Sequence, residues 1–321
     1  MKHLVALMAL ALMLPLAGPA NAAGYPDRPI RLVVPFPAGS GTDVVGRILG
    51  ETMSQDLGQP FIIDNKGGAQ GIIGVQTATN APADGYTLVI LGVTTGASNV
   101  SLFKKLPYDP ARDLTMIGMV GDSPIVLVAS PKLPVKNAAD LLDLARREPG
   151  KLTYGYGSGS AQIALAKLVA MGDIKALPVP YKGSPQVMTD LIAGQIDFTM
   201  TDISLAVPQM KGGTINALGV TSKDRFPLLP ELPSINESGA KGYDLVVWFA
   251  LGAPAKLPEP IVERLSAALK KALASPDLIR RFAEQGLAPK FSTPAQASSF
   301  IKSEIVEWGK LIKQAGIEPQ E

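Results

Sequence analysis

The chain contains no cysteine and a single histidine, His3. Without cysteine, neither a disulfide framework nor a lipid-modified N-terminal cysteine can form, so the core must hold the fold. The lone imidazole lies in a segment that reads as a removable leader, which leaves the mature chain with none. That excludes Ser-His-Asp and Cys-His catalysis, imidazole general bases and His/Cys zinc sites. Long apolar runs are scarce: beyond the first residues, charge, Gly or Pro interrupts every apolar stretch within about 18 residues, so no membrane span is expected. Net charge is lacking as well. The formal value is +2 over 321 residues, which leaves no electrostatic footprint for nucleic acid. Neither a metal nor a cofactor is expected.

What is present begins with "MKHLVALMALALMLPLAGPANAAGYPD", in which Lys2 precedes an apolar run from Leu4 to Leu16 and Ala20-Asn21-Ala22 precedes Ala23. This is the pattern of a secretory signal peptide over residues 1–22, too short in its apolar part to act as an anchor. A soluble, exported protein of the periplasm is expected. With 46% hydrophobic and 18% charged residues, the remainder has ordinary globular composition.

Short Val/Ile-rich runs at 29–36, 60–68 and 85–93 read as buried strands, and 42–58 and 70–82 carry apolar residues at helical spacing. That alternation predicts a parallel α/β sheet with right-handed crossovers. A second alternating set runs from 123 to 222, and the ends at 258–286 and 293–316 read as two amphipathic helices, the latter capped by Thr293. The expectation is two lobes: 23–123 with 246–321, and 124–245. Crossings near 121–128 and 242–255 would place a ligand between the lobes, at the carboxyl ends of strands.

The stretch "VVPFPAGSGTDVVGR" (33–47) runs from a strand through a glycine turn into a helix, as does "YGSGSAQ" (156–162). Gly39-Ser40-Gly41-Thr42-Asp43 supplies two glycines of a dinucleotide fingerprint, with Asp64 after the next strand, but the third glycine is missing. No Gly-Lys-Ser/Thr follows, which removes a phosphate-binding P-loop. Ser40 and Ser160 lack a histidine base. Ser-x-x-Lys pairs at Ser101/Lys104, Ser238/Lys241 and Ser299/Lys302 come without the companion motifs of Ser-Lys enzymes. Binding of a small anion at two helix starts, one per lobe, is the reading that survives. Thr42 with Asp43, or Ser160 with Gln162, could instead cap their own helices. Gln70 in "NKGGAQGIIG", Tyr181 beside Lys182, and Asp202 after "DFTMT" add polar groups near further turns. Asp202 reads either as a cap for the segment from Ile203 or as an acceptor for a ligand amine, hydroxyl or water.

The segments "YPDRPIRLVVPFPAGSGTD", "GQPFIIDNKGGAQGIIG", "APADGYTLVILG", "VPYKG", "LIAGQIDF", "LGVTSKDRFPLLPELPSINESG" and "WFALGAPAKLPEPIVERL", in order over nearly the whole mature chain, closely resemble the Bug family. Those proteins are extracytoplasmic solute-binding proteins of tripartite tricarboxylate transporters. The resemblance implies an α/β, two-lobed periplasmic binding fold of type II-like form, with an interlobe cleft that closes on a small carboxylate, no chemistry, and delivery to membrane permease subunits by a monomer. A ligand-sensing partner of a membrane kinase and an exported Ser/Lys hydrolase are the alternatives. Carried over by position, the family's first loop matches Phe36, Pro37, Ala38, Gly39, Ser40, Gly41 and Thr42, and its second Ala69, Gln70 and Gly71. Thr94, Thr95 and Gly96 match the loop after the third strand, Gly157, Ser158, Gly159 and Ser160 the glycine-serine turn, and Asp202 the acid after a buried strand. Where relatives often carry histidine after the glycine-serine turn, this chain has Ala161-Gln162-Ile163; Thr95-Gly96 replaces bulkier polar residues.

Overall fold

The structure, a computed structural model, describes residues 24–321; the expected signal peptide over 1–22 lies outside the described residues. The strands are β1 (Ile30–Val34), β2 (Phe61–Asn65), β3 (Thr87–Gly92), β4 (Leu114–Ser123), β5 (Ile125–Ala129), β6 (Thr153–Tyr156), β7 (Leu177–Pro180), β8 (Phe198–Asp202), β9 (Asn216–Val220), β10 (Val247–Pro254) and β11 (Ala288–Pro289). They form two sheets, ordered β11-β4-β10-β3-β1-β2 and β7-β6-β8-β5-β9.

The expected parallel order holds only where helices connect successive strands. β1 pairs in parallel with β2 and β3, and β6 with β7 and β8. The strands at the crossings run the other way: β10 is antiparallel to β3 and β4, and β5 to β8 and β9. Both sheets are therefore mixed, which corrects the all-parallel expectation. A strand that arrives directly from the other sheet, without a helical crossover, is free to pair antiparallel.

Helix Gly41–Leu57 shows how the local sequence builds the first layer. Val45, Leu49 and Met53, four residues apart, are buried against the sheet. Truncating Leu49 to Ala would cost about 2–5 kcal/mol at such a site. Gly58, at φ 69°, stops the helix and returns its N–H to the Ser54 carbonyl. The expected single helix over 258–286 is in fact two, Glu259–Leu273 and Pro276–Glu284. Pro276 cannot continue a helix and instead starts the next one. Thr293 caps Pro294–Gln314 through a full capping box with Gln296. Among the described residues no helix is long and apolar enough to cross a membrane.

The chain passes between the sheets at Ser123-Pro124 and again just before Val247. Thr221, fully buried, ties the two passages together. Its hydroxyl accepts the Ile125 N–H at 2.9 Å, its N–H donates to the Ile125 carbonyl at 3.0 Å, and its carbonyl accepts the Leu245 N–H at 2.9 Å.

Candidate functional site

A cavity lies where the carboxyl ends of β1, β3, β6 and β8 converge on the start of β10. About 400 Å³ of space, part of it open to solvent, is lined by Phe36, Ser40, Thr42, Thr94, Ser158, Ser160, Ser184 and Asp202 together with Gly92, Val93, Val247, Trp248 and Phe249. No Lys, Arg or His is in this lining, and Asp202 is its one ionisable side chain.

Two helix starts form matching walls. Ser40 caps Gly41–Leu57, its hydroxyl accepting the Asp43 N–H, and Ser158 caps Gly159–Met171, accepting the Ala161 N–H. The capping residues are thus Ser40 and Ser158, not Thr42 or Ser160 as the sequence allowed. A helix offers its N-cap hydroxyl to the N–H three residues on, which leaves the hydroxyls of Thr42 and Ser160, two residues further on, free of the capping role at the cavity wall.

The walls touch across the cleft. Ser160 donates its N–H to Thr94 Oγ1 at 3.1 Å, Gln70 Nε2 donates to Gln162 Oε1 at 3.3 Å, and Gly41 donates its N–H to Asp202 Oδ2 at 3.2 Å. Asp202 makes no side-chain capping bond to its own segment, so the capping alternative fails. Burial raises its carboxyl pKa, and hydrogen bonds from the N–H groups of Gly41 and of Asp202 itself oppose the rise. A Cβ on Gly41 would lie 2.4 Å from Asp202 Cγ; one on Gly159 would lie 2.7 Å from Leu102 Cδ1 and 2.8 Å from Gln70 Oε1. Only glycine lets the two walls approach this closely.

Of the residues singled out from sequence, Phe36, Ser40, Thr42, Thr94, Ser158, Ser160 and Asp202 come together at the cavity. Gly41 and Gly159 stand behind them at the contact between walls. Gln70 bridges to Gln162 beside the cavity while its Oε1 is buried without a partner. Thr95 is turned back onto β3, exchanging hydrogen bonds with Gly92. Pro37 packs toward Gly183, and Ala38, Gly39 and Ala69 are exposed. Tyr181 is outside the lining; its hydroxyl donates to Asp190 Oδ2 at 2.7 Å, and its pKa is pushed up to about 12 by burial first and the Asp190 carboxylate second. Ser101 and Lys104 line a separate surface groove with Gly309 and Lys313.

The sequence reading did not single out Ser184, Val247, Trp248 or Phe249. Ser184 opens the helix after "VPYKG", and Trp248-Phe249 lie in the expected second crossing, so both were signalled by position alone. The Trp248 indole N–H donates to Glu304 Oε2 at 2.6 Å, and Trp308 donates to the same oxygen at 2.9 Å. Among the described residues no cluster of acids or imidazoles is placed to hold a metal ion.

Comparison with known proteins identifies the family. The family described as "Tripartite tricarboxylate transporter family receptor" matches residues 45–317. Protein BugT of Bordetella pertussis is 34% identical over 304 residues, 94% of this chain and 93% of its own. The solved structure of an R. palustris protein with adipate superposes at a TM-score of 0.90 with 34% identity, covering 92% of this chain and all of that one. Periplasmic binding protein BugD gives 0.88 with 32% identity over 92% of this chain and 100% of its own. A second protein, from Rhodopseudomonas palustris with bound malate, gives 0.84 and 29% over 90% of this chain and 100% of its own. The α/β architecture is that of two-lobed periplasmic binding proteins. The chain belongs to the Bug family of solute-binding receptors, the receptor family of tripartite tricarboxylate transporters.

Proposed function

We propose that this protein is an exported receptor that captures a small organic carboxylate between its lobes and delivers it to the membrane permease subunits of a tripartite transporter. The observation that carries this is the pair of facing helix starts, Ser40-Gly41-Thr42 and Ser158-Gly159-Ser160, around a cavity whose lining has hydroxyls but no cationic side chain. Helix N-termini and hydroxyls stabilise a carboxylate through partial charges and hydrogen bonds, so no lysine or arginine is required. Adipate and malate in the solved relatives support the ligand class.

On this reading the lobes comprise 23–123 with 246–321, and 124–245, and the protein acts as a monomer and performs no chemistry. Ligand binding favours closure because the hydroxyls of both walls are within reach only when the cleft is shut. A thermal-shift screen of mono-, di- and tricarboxylates tests it. An acid present at 100 times its dissociation constant is expected to stabilise the fold by about 2.7 kcal/mol. If no carboxylate in the screen raises the melting temperature, the proposal is wrong.

A further inference from the structure

Asp202 is the one ionisable residue lining the cleft cavity, and the one ionisable residue lining a smaller cavity beside it, bounded by Gly41, Ser123, Ser204, Phe249 and Gln285. Its side chain therefore stands in a wall between two spaces that offer it no cation. Of the roughly four acceptor positions on a carboxylate, the Gly41 N–H takes one at 3.2 Å and the N–H of Asp202 itself a second. The flanking hydroxyls, Thr201 Oγ1 and Ser204 Oγ, are buried and unpartnered, which marks this wall as short of hydrogen-bond partners.

The charged groups of the surrounding elements are engaged elsewhere. Asp43, near the start of helix Gly41–Leu57, is held by Gly39, Arg47 and Asn65. Asp122 of β4 pairs with Lys290. Helix Ile203–Lys211 carries a charge only at its far end, Lys211, and β5 and β10 carry none. A ligand carboxylate placed beside Asp202 would thus meet a like charge with no cationic side chain to offset it, and two carboxylates sharing one site cannot both stay ionised at little cost. A group bearing a proton meets an acceptor instead.

We propose that Asp202 selects ligands that present a hydrogen-bond donor to it. The ligand class is then a small acid with a hydroxyl or amino group besides its carboxylate, or a plain diacid that enters with one carboxyl protonated. This rests on the carboxylate-receptor reading above and narrows it. Burial raises the Asp202 carboxyl, consistent with a site where a proton is retained.

The test is isothermal titration of the full mature protein with acids matched in carbon number: succinate, malate and aspartate, then glutarate, 2-hydroxyglutarate and glutamate. Each is measured at about pH 6 and about pH 8, in buffers of different ionisation enthalpy. At the higher pH the hydroxy or amino acid of a series is expected to bind at least about tenfold more tightly than the plain diacid. The plain diacid is expected to gain about tenfold per unit fall in pH, with uptake of one proton. In Asp202→Asn, whose amide donates to a carboxylate, and in Asp202→Ala, both the preference and the pH slope should vanish. A plain diacid that binds at the higher pH as tightly as its hydroxy partner without proton uptake overturns the proposal, as does a preference that survives Asp202→Asn. Failure of the parent protein to bind any acid of either series would be a different result, removing the receptor reading itself.

Discussion

Asp43 stands one residue beyond Thr42, yet it serves the loop rather than the cleft. Its carboxylate accepts from the Gly39 N–H, Arg47 Nε and Asn65 Nδ2, each at 2.9 Å, and its side chain is only 4% exposed. Burial by itself would raise its pKa; the hydrogen bonds from Arg47, Gly39 and Asn65, with the charge of Arg47, more than offset that and hold it below the usual carboxylate value. A group whose folded pKa lies below its unfolded one contributes stability above the unfolded value, near pH 4, and loses it as pH falls through the folded value. Asp43→Asn is therefore expected to be less stable than the parent at neutral pH, with the difference shrinking below about pH 4. Melting temperatures across that range would show it; a difference constant with pH would contradict it. Trp248 gives a second prediction at this scale. The chain has only two tryptophans, both bonded to Glu304, and only Trp248 lines the cavity. A ligand-induced change in intrinsic fluorescence should survive Trp308→Phe and be lost in Trp248→Phe.

The two helix starts are equivalent elements: serine at the cap, glycine first in the helix, a hydroxyl second. The strand-turn-helix pattern was legible in the sequence because it is local, but the caps were not: the sequence offered Thr42 and Ser160, and the structure uses Ser40 and Ser158. Nor was the partner of each glycine, since the approach of Gly41 to Asp202 spans 161 residues and depends on how two sheets meet. The same limit applies to Asp202, whose residue type and position suited a local cap but whose carboxylate turns across the cleft. Pro276 was visible in the sequence, and its effect followed from local physics, yet the amphipathic pattern continued through it and masked the break. The glycines supply a prediction at this scale. Gly41→Ala and Gly159→Ala each place a methyl group within about 3 Å of the facing wall. Both should hold the lobes apart, raising the radius of gyration in solution scattering with ligand present and weakening ligand binding, without a large loss of thermal stability, since alanine is the better helix former. Unchanged scattering and unchanged affinity would show that the walls need not meet.

At the level of the molecule, alternation gave the α/β class and two successive strand-helix sets, while the two-lobed periplasmic binding fold came with the family resemblance. The antiparallel partners at the crossings could not be read from alternation, because sheet order is set by contacts between segments far apart in the chain, such as β10 between β3 and β4. In the receptor proposed above, the lobes pivot at those crossings, which Thr221 ties together, and the hydroxyls of Thr42 and Ser160 belong to opposite lobes. The most direct test is therefore to titrate the tightest-binding carboxylate into the parent, Thr42→Ala, Ser160→Ala and the double variant. A hydrogen bond to a charged ligand contributes about 1.5–3 kcal/mol, so each single variant is expected to bind at least about tenfold more weakly and the double variant weaker still. If all three variants bind the acid as the parent does, the two facing walls do not form a carboxylate clamp.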